Sequence, residues 1–472
     1  MIKIFDLNEL KHYKNIHMVG IGGISMSGIA EILFNWGFHV TGYDACDSEI
    51  VRKLNETGIP VVTEHNLDFI NQADLVVYTA AIKKDDPELV EARNLGVPTI
   101  ERKDFLGIIT KSYLNTIGIS GTHGKTTTTS MVSLCFLEEN LDPTIQVGAM
   151  LKQINGNYRI GNSNYFIIEA CEYAESFLKF HLKSAIILNI DNDHLDYFKT
   201  FENIKHAFVK YVKKLPKSGF LVLNADDPNC LQLREETRAT VITYGLKNLD
   251  ADFIAKNIQF DENGCARFQV YYHSEFYETF ALSVPGIHNV SNALAAISLC
   301  HSYGISKDAM KSALAKFTGA NRRCELLGRI SNGIKIFDDY GHHPTEIHAT
   351  ACAIKQKKFH SSWVVFQPHT YSRTQNLLED FAKALLDFDH IIITDIYAAR
   401  ETNTYGITSE HLVDEIKKLG KNAIYIQNFD EIAKYLEQHM EPDDLVLTLG
   451  AGTVVEVGKK LVKEKWKNSD RF

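Results

Sequence analysis

The feature that most constrains this chain is a glycine-rich turn set between a buried strand and a helix, Gly121-Thr122-His123-Gly124-Lys125-Thr126-Thr127. Thr116–Ile119 is short and apolar, and a helical pattern follows the turn. Strand, glycine turn and helix in that order make a phosphate cradle. Glycines let backbone N–H groups approach phosphate oxygens, and the helix offers its positive end. Lys125 supplies a point charge to terminal phosphates, and the Thr126 hydroxyl can ligate a divalent cation. The strict phosphate-loop spacing is not met: position 119 is Ile, and Gly118 lies one place earlier. The alternative is a chance glycine turn before a helix.

A second turn, Gly20-Ile21-Gly22-Gly23-Ile24-Ser25, follows the strand predicted at His17–Ile21 and precedes a helix predicted from Met26 to Trp36. Asp44 ends the next strand, roughly twenty residues on, where a dinucleotide fold places its ribose-binding acid. Taken alone this turn fits NAD, FAD, a UDP-sugar or merely a tight bend.

Strands and helices alternate along most of the 472 residues, which predicts an α/β protein with parallel sheets. The expected organisation is three domains: a Rossmann-like unit over 1–110, a central ATPase-like unit over 111–321, and a second Rossmann-like unit over 322–472. An antiparallel accessory sheet is expected over 252–284 within the central domain, with Ala266, Phe268, Val270, Phe276 and Phe280 on its apolar face.

Charged groups stand at several predicted strand ends. Glu169 can hold a cation near the phosphate turn or be a solvated loop acid. Asn189 to Asp196 brings three acids and His194, for a second cation or as a structural histidine. Asp338-Asp339-Tyr340-Gly341-His342-His343 and Gln367-Pro368-His369-Thr370-Tyr371-Ser372-Arg373 look like a carboxylate-binding site, or like helix caps, with Ser372 a credible N-cap.

A net charge of −9 argues against a general nucleic-acid binder. The eight cysteines show no C-x-x-C pair, so reduced, mostly buried thiols are expected. The N-terminal MIKIFDLNELKHYKN lacks the apolar stretch of a signal peptide, and no apolar run has membrane-spanning length. A cytoplasmic protein without a membrane partner is the expectation. Nothing in the sequence separates monomer from homodimer.

Eight segments in this order resemble the Mur ligase family: GIGGISMSGIAE from Gly20, GTHGKTTTT from Gly121, EACEYAESFL from Glu169, NIDNDHLDYF from Asn189, PGIHNVSNALAA from Pro285, GANRRCE from Gly319, DDYGHHPTE from Asp338 and FQPHTYSRT from Phe366. The resemblance covers essentially the whole chain and is closest to the alanine-adding branch. It implies an ATP-dependent, ADP-forming ligase that joins L-alanine to the carboxylate of UDP-N-acetylmuramate through an acyl phosphate, in peptidoglycan precursor synthesis. It implies ATP at Gly121, Thr122, His123, Gly124, Lys125, Thr126 and Thr127, with Asn289 and Asn292 near adenine and Arg323 reaching phosphate or ribose. It implies Mg²⁺ at Thr126, Glu169 and His194. The UDP moiety falls to Gly20, Gly22, Gly23, Ser25 and Asp44, and the incoming alanine to His342, His369 and Arg373. Lys125, His194 and His342 carry the catalytic expectation, His342 as a proton acceptor near pKa 6.5, roughly. Closure of the third domain on ATP binding is also expected.

Three departures stand out. Thr370 and Cys324 replace an arginine and an aromatic common in relatives. Phe208 falls where ligases adding later residues carry a carbamylated lysine, which the alanine-adding branch also lacks. Rival readings are a sister ligase attaching a recycled murein tripeptide to the same sugar, an NAD-dependent oxidoreductase, and a non-catalytic nucleotide sensor.

Overall fold

A computed structural model describes residue 10 and residues 12–399 and 401–469, apart from the side chains of Asp196 and of residues 464–469. Most of the N-terminal stretch read above as no signal peptide therefore lies outside the described residues. By contacts the chain divides into two compact units. One comprises Met1–Asp191, Thr200–Phe253 and Ala295–Ala313; the other comprises Asn192–Lys199, Ile254–Leu294 and Leu314–Phe472.

The first unit holds two sheets. One runs in the order Val61–Val62, His39–Tyr43, Asn15–Val19, Leu75–Tyr78, Thr99–Glu101, parallel throughout. The strand order reverses between Asn15–Val19 and Leu75–Tyr78. A ligand crevice opens at such a reversal in an α/β sheet, and the Gly20 turn leaves the strand there. The other sheet runs Gly156–Arg159, Thr144–Leu151, Tyr165–Glu169, Asn115–Ser120, Ser184–Ile187, Phe220–Asn224, Thr240–Gly245. Among these seven strands, which belong to a larger sheet, Gly156–Arg159 is antiparallel to its neighbour and the other pairs are parallel. Asn115–Ser120 lies near the middle and is buried from Thr116 onward, so the phosphate turn springs from the core.

The helix after that turn, Lys125–Glu138, contains four consecutive threonines, poor helix formers. Tertiary burial overrides propensity: Thr126 to Phe136 are all buried. The hydroxyls of Thr129, Ser130 and Ser133 are satisfied on the carbonyls of Lys125, Thr126 and Thr129 at 2.7–2.8 Å.

In the second unit Cys265–Tyr272 pairs antiparallel with Glu275–Pro285. Ala266, Phe268, Val270 and Phe280 are buried as expected, but Phe276 is 56 % exposed. A register shift between Val270 and Tyr271 explains this: one extra residue moves the far end of the hairpin to the opposite face. The remaining sheet runs Glu325–Arg329, Lys335–Asp339, Leu445–Leu449, Ser362–Phe366, His390–Ile393, Ala423–Tyr425, antiparallel only at its first pair. One apolar cluster centres on Ile347, Phe366, Phe381 and Leu412, another on Ile336, Val365, Leu436 and Val457, so helices cover both faces.

Among the described residues no helix is long and apolar enough to cross a membrane. All eight cysteines are free; Cys135, Cys230 and Cys300 are buried, whereas Cys46 is exposed, so burial of the thiols is less general than expected.

Candidate active site

In the first unit the phosphate turn is shaped by two glycines with positive φ, Gly121 at 131° and Gly124 at 82°. A Cβ on Gly121 would also press against the backbone nitrogens of Leu188 and Asn189. The turn is braced from the strand end at Asn189. Its side chain accepts from the His123 N–H at 2.7 Å and donates to the His123 carbonyl at 3.0 Å. The His123 ring reaches Asp191 at 3.0 Å. This brace was not assigned a role from sequence, although Asn189 opens one of the quoted motifs.

Lys125 does not extend into solvent. Its ammonium donates to the carbonyls of Gly121 and Thr122 and pairs with Glu172 at 3.0–3.1 Å, with side-chain exposures of 13 % and 3 %. Burial alone would lower its pKa, but the carboxylates of Glu172 and Glu169 more than offset that and hold it above the ordinary lysine value. Lys125 is therefore cationic at any working pH. Glu172 is a functional candidate that the sequence reading passed over, with no signal beyond its place in the Glu169 motif. Glu169 ends its strand and accepts the Gly148 N–H at 2.8 Å, so it is not a freely solvated loop acid. Thr126 and Glu169 offer oxygen donors, the set that suits Mg²⁺. The imidazole of His194 suits it less well.

The Gly20 turn is held by Asp44, whose carboxylate accepts from the N–H groups of Gly22 at 2.9 Å and Cys46 at 3.1 Å. Gly20 has φ 79°, and a Cβ on Gly22 would strike the Asp44 carboxylate. Gly23 precedes the helix Ile24–Asn35 in ordinary extended conformation. Ser25 receives Arg102 at 3.0 Å and Gln146 at 2.7 Å on its hydroxyl oxygen. Arg102 and Gln146, distant in sequence, could be found only from the fold.

In the second unit Arg373 donates through Nε and Nη2 to one oxygen of Asp193, at 3.2 and 2.6 Å, and through Nη1 to His369 Nδ1 at 3.1 Å. Burial would raise the Asp193 pKa, but Arg373, His194 and His342 carry it well below the usual carboxylate range. His194 has φ 56° and donates its N–H to Asp193. The rings of His342 and His369 lie 5.6 Å apart. Burial lowers the His342 pKa to about 4, despite Glu346, and that of His369 to about 3. This corrects the expectation of a base near pKa 6.5: both imidazoles are neutral at pH 7 and weak as proton acceptors.

His343 is the capping member of the histidine pair, its ring accepting the Thr345 N–H at 3.3 Å ahead of the helix Pro344–Lys355. Ser372 is not an N-cap. Thr370 holds that position, and Ser372, inside the helix Tyr371–Asn376, gives its N–H to Glu401 at 2.8 Å. Asn289 and Asn292 are both 8 % exposed and bonded to each other at 3.1 Å. Of the two arginines, Arg322 is tied to Asp338 at 2.9 Å and to the carbonyls of Gly450 and Gly452. Arg323 lies over the Tyr340 ring at 5.4 Å.

Comparison with known proteins matches residues 15–114 to "Mur ligase family, catalytic domain", 119–300 to "Mur ligase middle domain" and 322–452 to "Mur ligase, glutamate ligase domain". A UDP-N-acetylmuramate–L-alanine ligase of Acetivibrio thermocellus is 50 % identical over 98 % of both chains. The chain belongs to the Mur ligase family. The crystal structure of the UDP-N-acetylmuramate–alanine ligase of Thermotoga maritima superposes with a TM-score of 0.82 at 29 % identity, covering 97 % of this chain and 100 % of that one. A murein peptide ligase of Psychrobacter arcticus shares the fold, with a TM-score of 0.70 at 24 % identity over 95 % of this chain and 98 % of that one.

Two departures from the Mur ligase pattern now have surroundings. Phe208 is fully buried edge-on to Phe177 at 5.3 Å, and Lys210 pairs with Glu175 at 2.9 Å. Cys324 donates its N–H to Asp339 at 2.7 Å, and burial raises its thiol pKa to about 12.

Proposed function

We propose that this chain joins L-alanine to the carboxylate of UDP-N-acetylmuramate, converting ATP to ADP and phosphate with Mg²⁺, in the cytoplasm where the sugar nucleotide and ATP are found. The observation that carries the reading is 50 % identity over 98 % of a relative of that name. A sister ligase taking a murein tripeptide is less favoured, because likeness to that enzyme is one of fold. An oxidoreductase read from the Gly20 turn leaves the buried Lys125–Glu172 pair without a purpose.

The first step brings two anions together, the muramoyl carboxylate and the nucleotide phosphate. Like charges 4 Å apart repel by about 4 kcal/mol at an effective dielectric of 20. Lys125 and the N–H groups of the Gly121–Thr127 turn stabilise the transferring phosphoryl group. Thr126, Glu169 and His194 would each be ligands for Mg²⁺, which would supply further charge neutralisation. Asn289, Asn292 and Arg323 serve the nucleotide. Gly20, Gly22, Gly23, Ser25 and Asp44 hold the UDP-sugar, helped by Arg102 and Gln146.

In the second step the alanine amine attacks the acyl phosphate, and phosphate leaves. His342, His369 and Arg373 receive the amino acid. His342 is neutral and accepts a proton only as the amine loses basicity on forming the new bond. Domains over 1–110, 111–321 and 322–472 carry sugar nucleotide, ATP and amino acid in turn. Phosphate release, measured with UDP-N-acetylmuramate and ATP plus each amino acid or the tripeptide, tests the reading. L-Alanine should drive release; release driven by tripeptide but not by alanine would assign the sister activity.

A further inference from the structure

On the helix Pro344–Lys355, away from the groups assigned above, His348 and Cys352 stand one turn apart on the same face. Cys352 Sγ lies 3.6 Å from His348 Nε2, and His348 Nδ1 lies 2.8 Å from Asp387 Oδ2. Asp387 follows the helix Leu378–Leu385, so the three side chains join two segments of the second unit.

These distances match the requirements of a transition-metal ligand pair. A tetrahedral zinc, with bonds of about 2.0 Å to nitrogen and about 2.3 Å to sulfur, holds those two atoms about 3.5 Å apart. The carboxylate on Nδ1 fixes the tautomer that leaves the Nε2 lone pair facing the sulfur, the usual support for a metal-bound histidine. Lys355, the neighbouring cation, is occupied by the other Asp387 oxygen at 2.5 Å. The His348 side chain is 63 % exposed, which leaves an entry path and room for water in the remaining positions.

We propose that His348 and Cys352, supported by Asp387, bind a borderline-soft divalent ion such as zinc. On binding, the thiol releases its proton to solvent and the sulfur lone pair forms the metal bond. Oxygen-preferring magnesium is a poor match to sulfur, so the site is separate from the cation proposed for the ligase reaction.

The test uses the full-length protein, treated with chelator and titrated with Co²⁺ alone. A thiolate-to-cobalt charge-transfer absorption should appear and be displaced by Zn²⁺. It should vanish in Cys352→Ser, with circular dichroism and ligase turnover unchanged. Affinity should fall at least tenfold in His348→Gln and roughly 10–100-fold in Asp387→Asn. No such absorption in the wild type, its full retention in Cys352→Ser, or unchanged affinity in His348→Gln would each overturn the proposal.

Discussion

Lys125 and Glu172 show how a residue chosen for chemistry constrains stability. Lys125→Ala should abolish ADP formation in a coupled assay while the protein still folds. It should also lower stability to urea by about 3 kcal/mol, because a carboxylate 3 % exposed loses its ion pair. Lys125→Met combined with Glu172→Gln should recover most of that stability and none of the turnover. The neutral histidines predict a pH dependence. The unfolded chain takes up a proton on His342 as pH falls through about 6.5, but the folded chain takes it up only near 4. Stability is therefore lost on acidification across that window, by on the order of 3 kcal/mol for His342. His369 acts in the same direction, down to about 3. Denaturation curves from pH 7 to 4 should fall less steeply for His342→Asn than for the wild type. Asp339, raised by burial to about 6, opposes this trend, since its ionisation costs stability as pH climbs from 3.8. The sequence singled out Lys125, Glu169, His342 and Arg373 because glycine turns and strand ends mark such positions. It could not reveal Glu172 or Asp193 as partners, because their importance comes from burial against a cation.

Among the elements, the short helix Tyr371–Asn376 begins at a strained residue. Thr370 has φ 64° and ψ 145°, a region nearly closed to β-branched side chains. Thr370→Gly should stabilise the protein by about 1 kcal/mol in thermal or urea denaturation, with relief of strain outweighing glycine's greater entropy when unfolded. Strands and helices were legible wherever apolar residues kept a regular period: the strand expected at Thr116–Ile119 lies within Asn115–Ser120, and the helix expected from Met26 to Trp36 overlaps Ile24–Asn35. The hairpin failed at Phe276 because a bulge leaves no mark in the alternation before it. Ser372 failed as a cap because position i of the turn fell two residues earlier, and Glu401 claimed its hydroxyl.

At the scale of the whole molecule, α/β layering followed directly from the alternation of strands and helices, whereas strand order did not. Nothing local says that Leu75–Tyr78 lies beside Asn15–Val19, and that neighbour relation creates the crevice at the Gly20 turn. A ligand that binds only the folded chain stabilises it, by about 2.7 kcal/mol at a hundred times its dissociation constant. A non-hydrolysable ATP analogue should therefore raise the melting temperature of the wild type and leave that of Lys125→Ala nearly unmoved. The aromatic side chain at 208 carries a last consequence. A ligase that bridges its metals with a carbamylated lysine must capture carbon dioxide before it can work. Phe208 has no amine to carbamylate, and the nearby Lys210 is engaged with Glu175. Turnover should be the same in degassed, bicarbonate-free buffer as in air, so that the proposed reaction would run independently of dissolved inorganic carbon.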